Sequence, residues 1–226
     1  MFGRGRHHQR SGGRRVYELT EAARQAAAEA GSAGGPAPGH GPFDEADAPR
    51  DDLDRLDLGS VRLPLPDGAQ LQVEIDPAGP VRAVHVLTDC GQLTVAAFAA
   101  PRSEPLWDDV RAEIVAQLHI DGAQVHEVRG EWGREVHAET PQVALRFIGI
   151  DGPRWMLRGL ATGPASTHHE LVAALYDMLR GTIVVRGAEP MPVRGPLPIT
   201  LPEPMAEQLR QVAAARQEQQ QIRPDA

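Results

Sequence analysis

The sequence predicts an α+β fold with a largely antiparallel sheet, built from two β-β-α-β repeats with two helices on one face. Three observations lead to this prediction. Short runs alternate apolar and polar residues, two longer segments carry apolar residues at helical spacing, and both kinds of element recur in the same order.

Nine alternating runs predict strands, and turn residues separate most of them. The first two runs, for example, flank the turn Pro66-Asp67-Gly68. The predicted strands cover residues 61–65, 71–75, 82–88, 92–99, 124–128, 135–138, 143–150, 154–160 and 182–185.

Two segments, 104–120 and 168–179, have the apolar spacing of helices that cover a sheet. Ser103 is the predicted N-cap of the first helix, because a serine side chain accepts a hydrogen bond from the first helical turn. Thr167 and Glu170 have the spacing of a capping box at the start of the second helix.

The repeat suggests an internal duplication, since each half runs strand, turn, strand, helix, strand. Asp89-Cys90-Gly91 and Asp151-Gly152 are the predicted hairpin turns. Gly152 suits a turn because glycine permits positive φ, and Pro153 suits the first position of the following strand because it has no N–H. Trp155 and Leu157 are expected on the buried face of that strand, with Arg158 on the other.

The two ends of the chain differ in composition from its middle. Residues 1–56 are predicted to be a disordered arm and linker, with a basic start, an Ala/Gly-rich stretch and an acidic run. Residues 57–200 are the predicted core domain, and 201–226 a flexible or frayed helical tail. The proline-rich stretch after Arg186 is expected to wrap the surface in extended form.

Composition narrows the possible functions. The formal net charge is −8. The sequence contains no lysine, and this absence excludes Schiff-base chemistry and a P-loop. The single cysteine, Cys90, cannot form an internal disulfide, the N-terminus has no apolar signal region, and no apolar run is long enough to span a membrane. We therefore expect a cytoplasmic protein.

No catalytic or metal-binding motif is found. The GxSxG, GxGxxG, Walker A and HExxH patterns are missing, and the histidines are scattered. His85 and Cys90 are interpreted as an incidental pair, and His168 and His169 as exposed residues of the capping box. We predict neither a cofactor nor a metal.

Arg102, Ser103, Arg154, Trp155 and Arg158 form a possible anion-binding or partner-binding patch. Arg102 and Ser103 precede a helix N-terminus, where backbone N–H groups favour anions. Arg158 alternates with apolar residues, and a charge in such a place needs a partner. The alternative, which is the more common arrangement, is a structural ion pair with a nearby Asp or Glu.

A second candidate site is the start of the N-terminal arm, residues 1–15, which carries five arginines and no acidic residue. Such a segment favours nucleic acid through its charge. The arginines of this possible nucleic-acid arm are Arg4, Arg6, Arg10, Arg14 and Arg15.

Several short motifs resemble an uncharacterised actinobacterial family that is known only as a domain of unknown function. They are Arg55–Pro64, Phe98–Ser103 with Trp107–Val110, Asp151–Trp155 with Leu157–Gly159, Val184–Gly187, Glu189–Met191 and the start Met1–Arg4. The resemblance covers about residues 50–203. Members are often encoded near a dUTPase and a small OB-fold protein, which implies at most a link to nucleic-acid housekeeping and no catalytic residue.

These observations favour a non-enzymatic binding or adaptor protein that acts on a protein partner through the sheet surface or its edges. The alternative is a nucleic-acid-associated protein that uses the arginine arm. The third hypothesis is an enzyme whose site has no recognised motif.

Overall fold

The secondary structure of the chain is taken from a computed structural model, which describes residues 15–19, 41–76 and 80–222. The strands are β1 (Arg15–Leu19), β2 (Phe43–Asp44), β3 (Leu56–Asp57), β4 (Val61–Leu63), β5 (Gln70–Ile75), β6 (Val81–Thr88), β7 (Gly91–Ala99), β8 (Gln124–Arg129), β9 (Arg134–Glu139), β10 (Ala144–Gly152), β11 (Trp155–Gly163) and β12 (Ile183–Val184). The α-helices are α1 (Trp107–Ile120), α2 (His168–Gly181) and α3 (Glu203–Ile222).

The main sheet has eight strands in the order β1-β5-β6-β7-β11-β10-β9-β8, and all neighbours are antiparallel. The predicted α+β class with a largely antiparallel sheet is therefore confirmed. A second, small sheet has the order β2-β12-β4-β3. The last strand of the second repeat, β12, belongs to this small sheet, because β2 and β4 pair with its two edges. Its counterpart β8 is an edge strand of the main sheet.

The alternating runs form strands because each strand buries one face in the core. On β7, Leu93, Val95, Ala97 and Ala99 are at most 5% exposed, whereas the residues between them are half-buried. The buried side chains meet α2, α3 and the small sheet in one large cluster.

The two predicted helices lie on opposite faces of the main sheet, so their expected placement on one face is wrong. Trp107 of α1 packs against Gly149, whereas Leu175 and Leu179 of α2 pack against Gly159. Gly149 and Gly159 point to opposite faces, because Gly149 is paired with Arg158, the neighbour of Gly159. Both faces of the β10–β11 hairpin carry buried apolar residues, so both need a cover.

The hairpin turns differ from the predicted ones. Asp89–Cys90 and Pro153–Arg154 are the two-residue turns, closed by the pairs Thr88–Gly91 and Gly152–Trp155. Arg154, and not Gly152, has positive φ, at 64°. Gly152 is required for another reason: a Cβ there would lie 2.2 Å from Cζ2 of the Trp155 ring. The assignment of Asp151-Gly152 to the turn was therefore wrong.

The predicted capping box at α2 is also wrong. The Thr167 hydroxyl donates to the Cys90 carbonyl oxygen at 3.2 Å and does not cap the helix. Glu170 instead accepts a hydrogen bond from the Cys90 thiol at 3.2 Å. His168, which we expected to be exposed, is 6% exposed, whereas His169 is exposed.

Packed structure begins before residue 57. The backbone N–H of Phe43 donates to Thr182 at 2.9 Å, and Leu56 is 3% exposed. Arg55 forms an ion pair with Asp51 and donates to the carbonyl of Gly181, the last residue of α2. Ion pairs with arginines and apolar contacts thus attach the acidic run to the core. The charge of the run alone had predicted a solvated segment. Residues 1–14 and 20–40 of the predicted disordered segment lie outside the described residues.

The C-terminal segments are also more closely attached than predicted. The proline-rich stretch lies beside the end of β7, where Leu197 donates to Ala97 and Arg194 donates to Ala99, each at 2.8 Å. Helix α3 begins with two side chains in the core, since Met205 is 0% and Leu209 is 8% exposed. The start of the predicted tail is therefore part of the fold.

The close contact at Gly152 yields a stability prediction. Gly152→Ala is expected to lower the free energy of unfolding by about 1–3 kcal/mol, because the new methyl group overlaps the Trp155 ring. Trp155→Ala should lower it by about 3–5 kcal/mol by leaving a cavity. Urea denaturation measures both.

Arg154→Gly is the control, because glycine adopts the positive φ of this turn position without strain. It should leave the unfolding free energy within about 1 kcal/mol of the original value or above it. A Gly152→Ala variant as stable as the parent would show that the ring does not rest on this glycine.

Candidate functional site

One half of one face of the main sheet is not covered by the described helices. Helix α1 packs on this face mainly over β8, β9 and β10, whereas α2 and α3 pack on the opposite face. We call the remainder the open face. It consists of half-buried side chains of four adjacent strands: Gln72, Glu74, Ala83, His85, Leu87, Gln92, Thr94, Ala96, Phe98, Arg158, Leu160 and Thr162.

Arg158 lies at the border between the open face and α1. Its neighbours across the strands are Ala96 on β7 and Gly149 on β10, two of the smallest residues. The guanidinium carbon lies 4.9 Å from the centre of the Phe98 ring, within the range of a cation–π contact. Burial lowers the pKa of Arg158, and no carboxylate of the described residues forms an ion pair with it. The structural ion pair that we considered the more common arrangement is therefore not formed.

Four other polar side chains of the open face, those of Glu74, His85, Gln92 and Thr94, contact one another. The Nδ1 atom of His85 lies 2.8 Å from the Thr94 hydroxyl and 3.0 Å from the amide nitrogen of Gln92. Its Nε2 atom lies 3.4 Å from the Glu74 carboxylate, which also lies 3.6 Å from Arg82. The charges at this end are thus balanced within the protein, which leaves Arg158 as the unmatched charge of the open face.

The five residues of the predicted patch do not form a single surface. Trp155 is 2% exposed on the opposite face, where its ring nitrogen donates to Asp44 at 2.8 Å. Arg102 and Ser103 are exposed in the loop before α1. Arg154 lies in the hairpin turn and borders a shallow pocket of about 470 Å³ that also includes Arg186. Arg158 is the member of the patch that lies on the open face.

The anion position at the start of α1 is filled by the protein itself. The backbone N–H groups of Leu106 and Trp107 donate to Oδ1 of Asp151 at 2.7 and 3.1 Å. A carboxylate is favourable there because it meets the positive end of the helix dipole. Ser103 makes no such bond, and the helix begins at Trp107, so the predicted cap is wrong. Arg102 and Ser103 therefore do not border a free anion site.

The arginine arm remains a prediction. Arg4, Arg6, Arg10 and Arg14 lie outside the described residues. The backbone of Arg15 begins β1 and pairs with Ile75.

Sequence reasoning missed a buried polar cluster on the α2 face of β9 and β10. Glu135 is 1% exposed and accepts a hydrogen bond from the Tyr176 hydroxyl at 2.5 Å, and Arg146 lies 3.4 Å from its other oxygen. Burial raises the pKa of Glu135, although Tyr176 and Arg146 act in the opposite direction. Burial and the Glu135 carboxylate raise the pKa of Tyr176 to about 12. The signal available in the sequence was that Glu135 and His137 alternate with two apolar residues on a predicted strand. Both polar residues are shielded because the strand is covered on both faces.

None of the His, Cys, Asp and Glu side chains of the described residues forms a group of three or more that is positioned to hold a metal ion. None of their helices is long and apolar enough to cross a membrane.

The structure defines an α+β protein that is built on an eight-stranded antiparallel sheet with helices on both faces. The chain belongs to the family described as "Protein of unknown function (DUF3710)", whose model matches residues 41–208. The predicted membership of an uncharacterised family is confirmed. Searches of curated proteins and of solved structures found no match.

The cap of α1 can be tested with a pair of variants. Asp151→Ala should lower the free energy of unfolding by about 1–2 kcal/mol, because it removes the hydrogen bonds to two N–H groups at the helix start. Ser103→Ala should change it by less than about 0.5 kcal/mol. Urea denaturation of both variants distinguishes the two caps, and equal losses would contradict our assignment.

Tyr176 gives a prediction at alkaline pH. Its folded-state pKa is raised, so its contribution to stability is complete below pH 10 and is lost as the pH rises to about 12. The free energy of unfolding should therefore fall over this interval, and it should fall less in Tyr176→Phe. In Glu135→Gln, absorbance at 295 nm should show Tyr176 ionising closer to pH 10. Ionisation of both tyrosines near pH 10 in the parent protein would contradict the contact.

Proposed function

We propose that this protein is a non-enzymatic binding protein that holds a protein partner on the open face, with Arg158 receiving a carboxylate of that partner. We further propose that it acts in the cytoplasm, where its single thiol would remain reduced.

The state of Arg158 is the observation that supports this proposal. A half-buried charge without a partner is unfavourable to folding. Other partly buried arginines in the described part of the chain have carboxylates, such as Arg146 with Glu135 and Arg180 with Glu131. Arg158 has only the Phe98 ring and two small neighbours. A charge whose burial costs stability in the unbound protein is typical of a binding residue.

The chemistry of the open face favours an acidic protein segment. Phe98 covers one face of the guanidinium, so the N–H groups at its rim remain to form paired hydrogen bonds with a carboxylate. Thr162 adds a hydroxyl group on β11, the strand that carries Arg158, whereas Thr94 and Gln92 are engaged by His85. Nucleic acid usually requires several basic residues along one surface, whereas the described open face has a single unmatched charge.

The test separates folding from binding. Arg158→Met removes the charge and keeps an apolar stem, and Arg129→Met changes an exposed arginine at the far end of β8 in the same way. Because Arg158 has no ion pair to lose, its replacement should leave the free energy of unfolding unchanged or raise it. Labelled peptides rich in Asp and Glu should bind the parent and the Arg129→Met variant at least about tenfold more tightly than Arg158→Met, a difference of about 1.4 kcal/mol.

Peptides with Asn and Gln in place of the acids, and a single-stranded oligonucleotide, complete the experiment. Binding of the neutral peptides as tight as the acidic ones would contradict the role of Arg158. Tighter binding of the oligonucleotide, lost on removal of residues 1–14, would favour the alternative of a nucleic-acid-associated protein. A partner co-purified from the native host should be reduced by Arg158→Met and not by Arg129→Met.

A further inference from the structure

Two histidines stack between the main sheet and the first residue of α2. His137 lies on β9 and His168 begins α2, and their ring centres are 5.5 Å apart with an angle of 9° between the planes. His168 is 6% exposed, although it is the first residue of a helix. The contact therefore attaches the N-terminal turn of α2 to the sheet.

Several nitrogen atoms around this stack make no hydrogen bond to the described residues. They are both ring nitrogens of His168, Nε2 of His137 and Nε of Arg146, all inaccessible to solvent. Neutral imidazole tolerates such a position better than imidazolium, since burying an unpaired charge costs far more than burying a neutral polar group.

The groups that face the stack come from three strands and from α2. Arg146 on β10 and His126 on β8 oppose a positive charge on the pair. Glu139 on β9 favours such a charge, but its side chain is half exposed and lies 3.4 Å from His137. The remaining charged and titratable groups are Glu135 on β9, which is engaged by Arg146 and Tyr176, and Tyr176 itself on α2. Burial is the largest cause that lowers the pKa of both histidines.

The turn attached by the stack also contacts Cys90, which is partly exposed, and the glycines beside it. Thr167 donates to the Cys90 carbonyl, Glu170 accepts from the Cys90 thiol, and Leu171 lies against Gly91 and Gly163. The later part of α2 is held independently by Leu175, Met178 and Leu179, which are at most 2% exposed. The N-terminal turn of α2 is held by Leu171, which is 1% exposed, and by the histidine pair.

We infer that His137 and His168 form a proton-sensitive latch, which holds the N-terminal turn of α2 over the Cys90 turn near neutral pH and releases it in mild acid. The mechanism requires only proton binding: an imidazole that gains a proton becomes a buried charge that the Arg146 guanidinium repels, and a second proton makes the two rings repel each other. This inference is independent of the proposed partner site, because the latch lies on the opposite face of the sheet.

The direction of the pH dependence follows from the lowered pKa values. A histidine with a lowered pKa in the closed state binds a proton more readily in the open state. The closed state is therefore fully favoured above pH 6.5, the ordinary pKa, and loses that advantage as the pH falls below it. Each histidine can change the ratio of closed to open forms by at most about tenfold per pH unit.

The reactivity of Cys90 reports the opening. A pyridyl disulfide reagent is applied to the full chain at pH 7.5 and at pH 5.5, and each rate is divided by the rate for the urea-unfolded chain at the same pH. This ratio removes the intrinsic pH dependence of the thiol. We expect the protection of Cys90 to fall at least tenfold between the two pH values, while far-UV circular dichroism shows that the sheet remains folded.

Two latch variants and one neighbouring control make the result specific. His168→Met removes one of the two titrating rings and should therefore reduce the loss of Cys90 protection at pH 5.5. His137→Phe takes its place should the first variant fail to fold. His169→Gln changes the exposed adjacent histidine and should behave like the parent. Equal protection of the parent at both pH values would overturn the inference, as would a full pH response in His168→Met or the loss of the response in His169→Gln.

Discussion

Two tryptophan rings that lie against glycines of one hairpin determine where the layers of this protein sit. Trp107 of α1 covers Gly149, where a Cβ would come within 2.0 Å of the ring, and Trp155 covers Gly152 at 2.2 Å. The two contacts are on opposite faces of the β10–β11 hairpin. Both tryptophans are at most 4% exposed, so a side chain at either glycine would displace a large buried ring and the layer behind it.

The same hairpin links the fold to the candidate site. Asp151 lies between the two glycines and caps α1, which fixes the start of that helix beside β10. With α1 held there, the neighbouring strands β5, β6 and β7 keep one face without a described helix. Gly149 is also the direct cross-strand neighbour of Arg158, so the residue that admits the Trp107 ring places that ring next to the unmatched charge.

Local patterns predicted the strands and helices well, because alternation and helical spacing record which face of each element is buried. The errors arose where a distant residue decided the outcome. Gly152 was assigned to a turn, but a ring three residues further on requires it, and Arg154 takes the turn conformation. Ser103 was the obvious local cap, whereas Asp151 comes from another strand. Strand alternation did place Trp155 and Leu157 on the buried face and Arg158 on the other, and the two apolar residues are at most 2% exposed.

The environment of Arg158 is hard to explain by stability alone. Arginine could be neutralised there by an acidic side chain at the position of Ala96, which lies directly opposite on β7. Cross-strand pairs of opposite charge are favourable, and an alanine forgoes that gain. The protein instead leaves the guanidinium against Phe98, with its pKa lowered by burial. Since an unpaired, partly desolvated charge costs free energy in the unbound protein, a carboxylate supplied from outside would gain both the ion pair and the relief of that cost. The same charge that is unfavourable for folding thus becomes a source of affinity, which is why the open face, rather than the buried polar cluster, is the surface that we assign to binding.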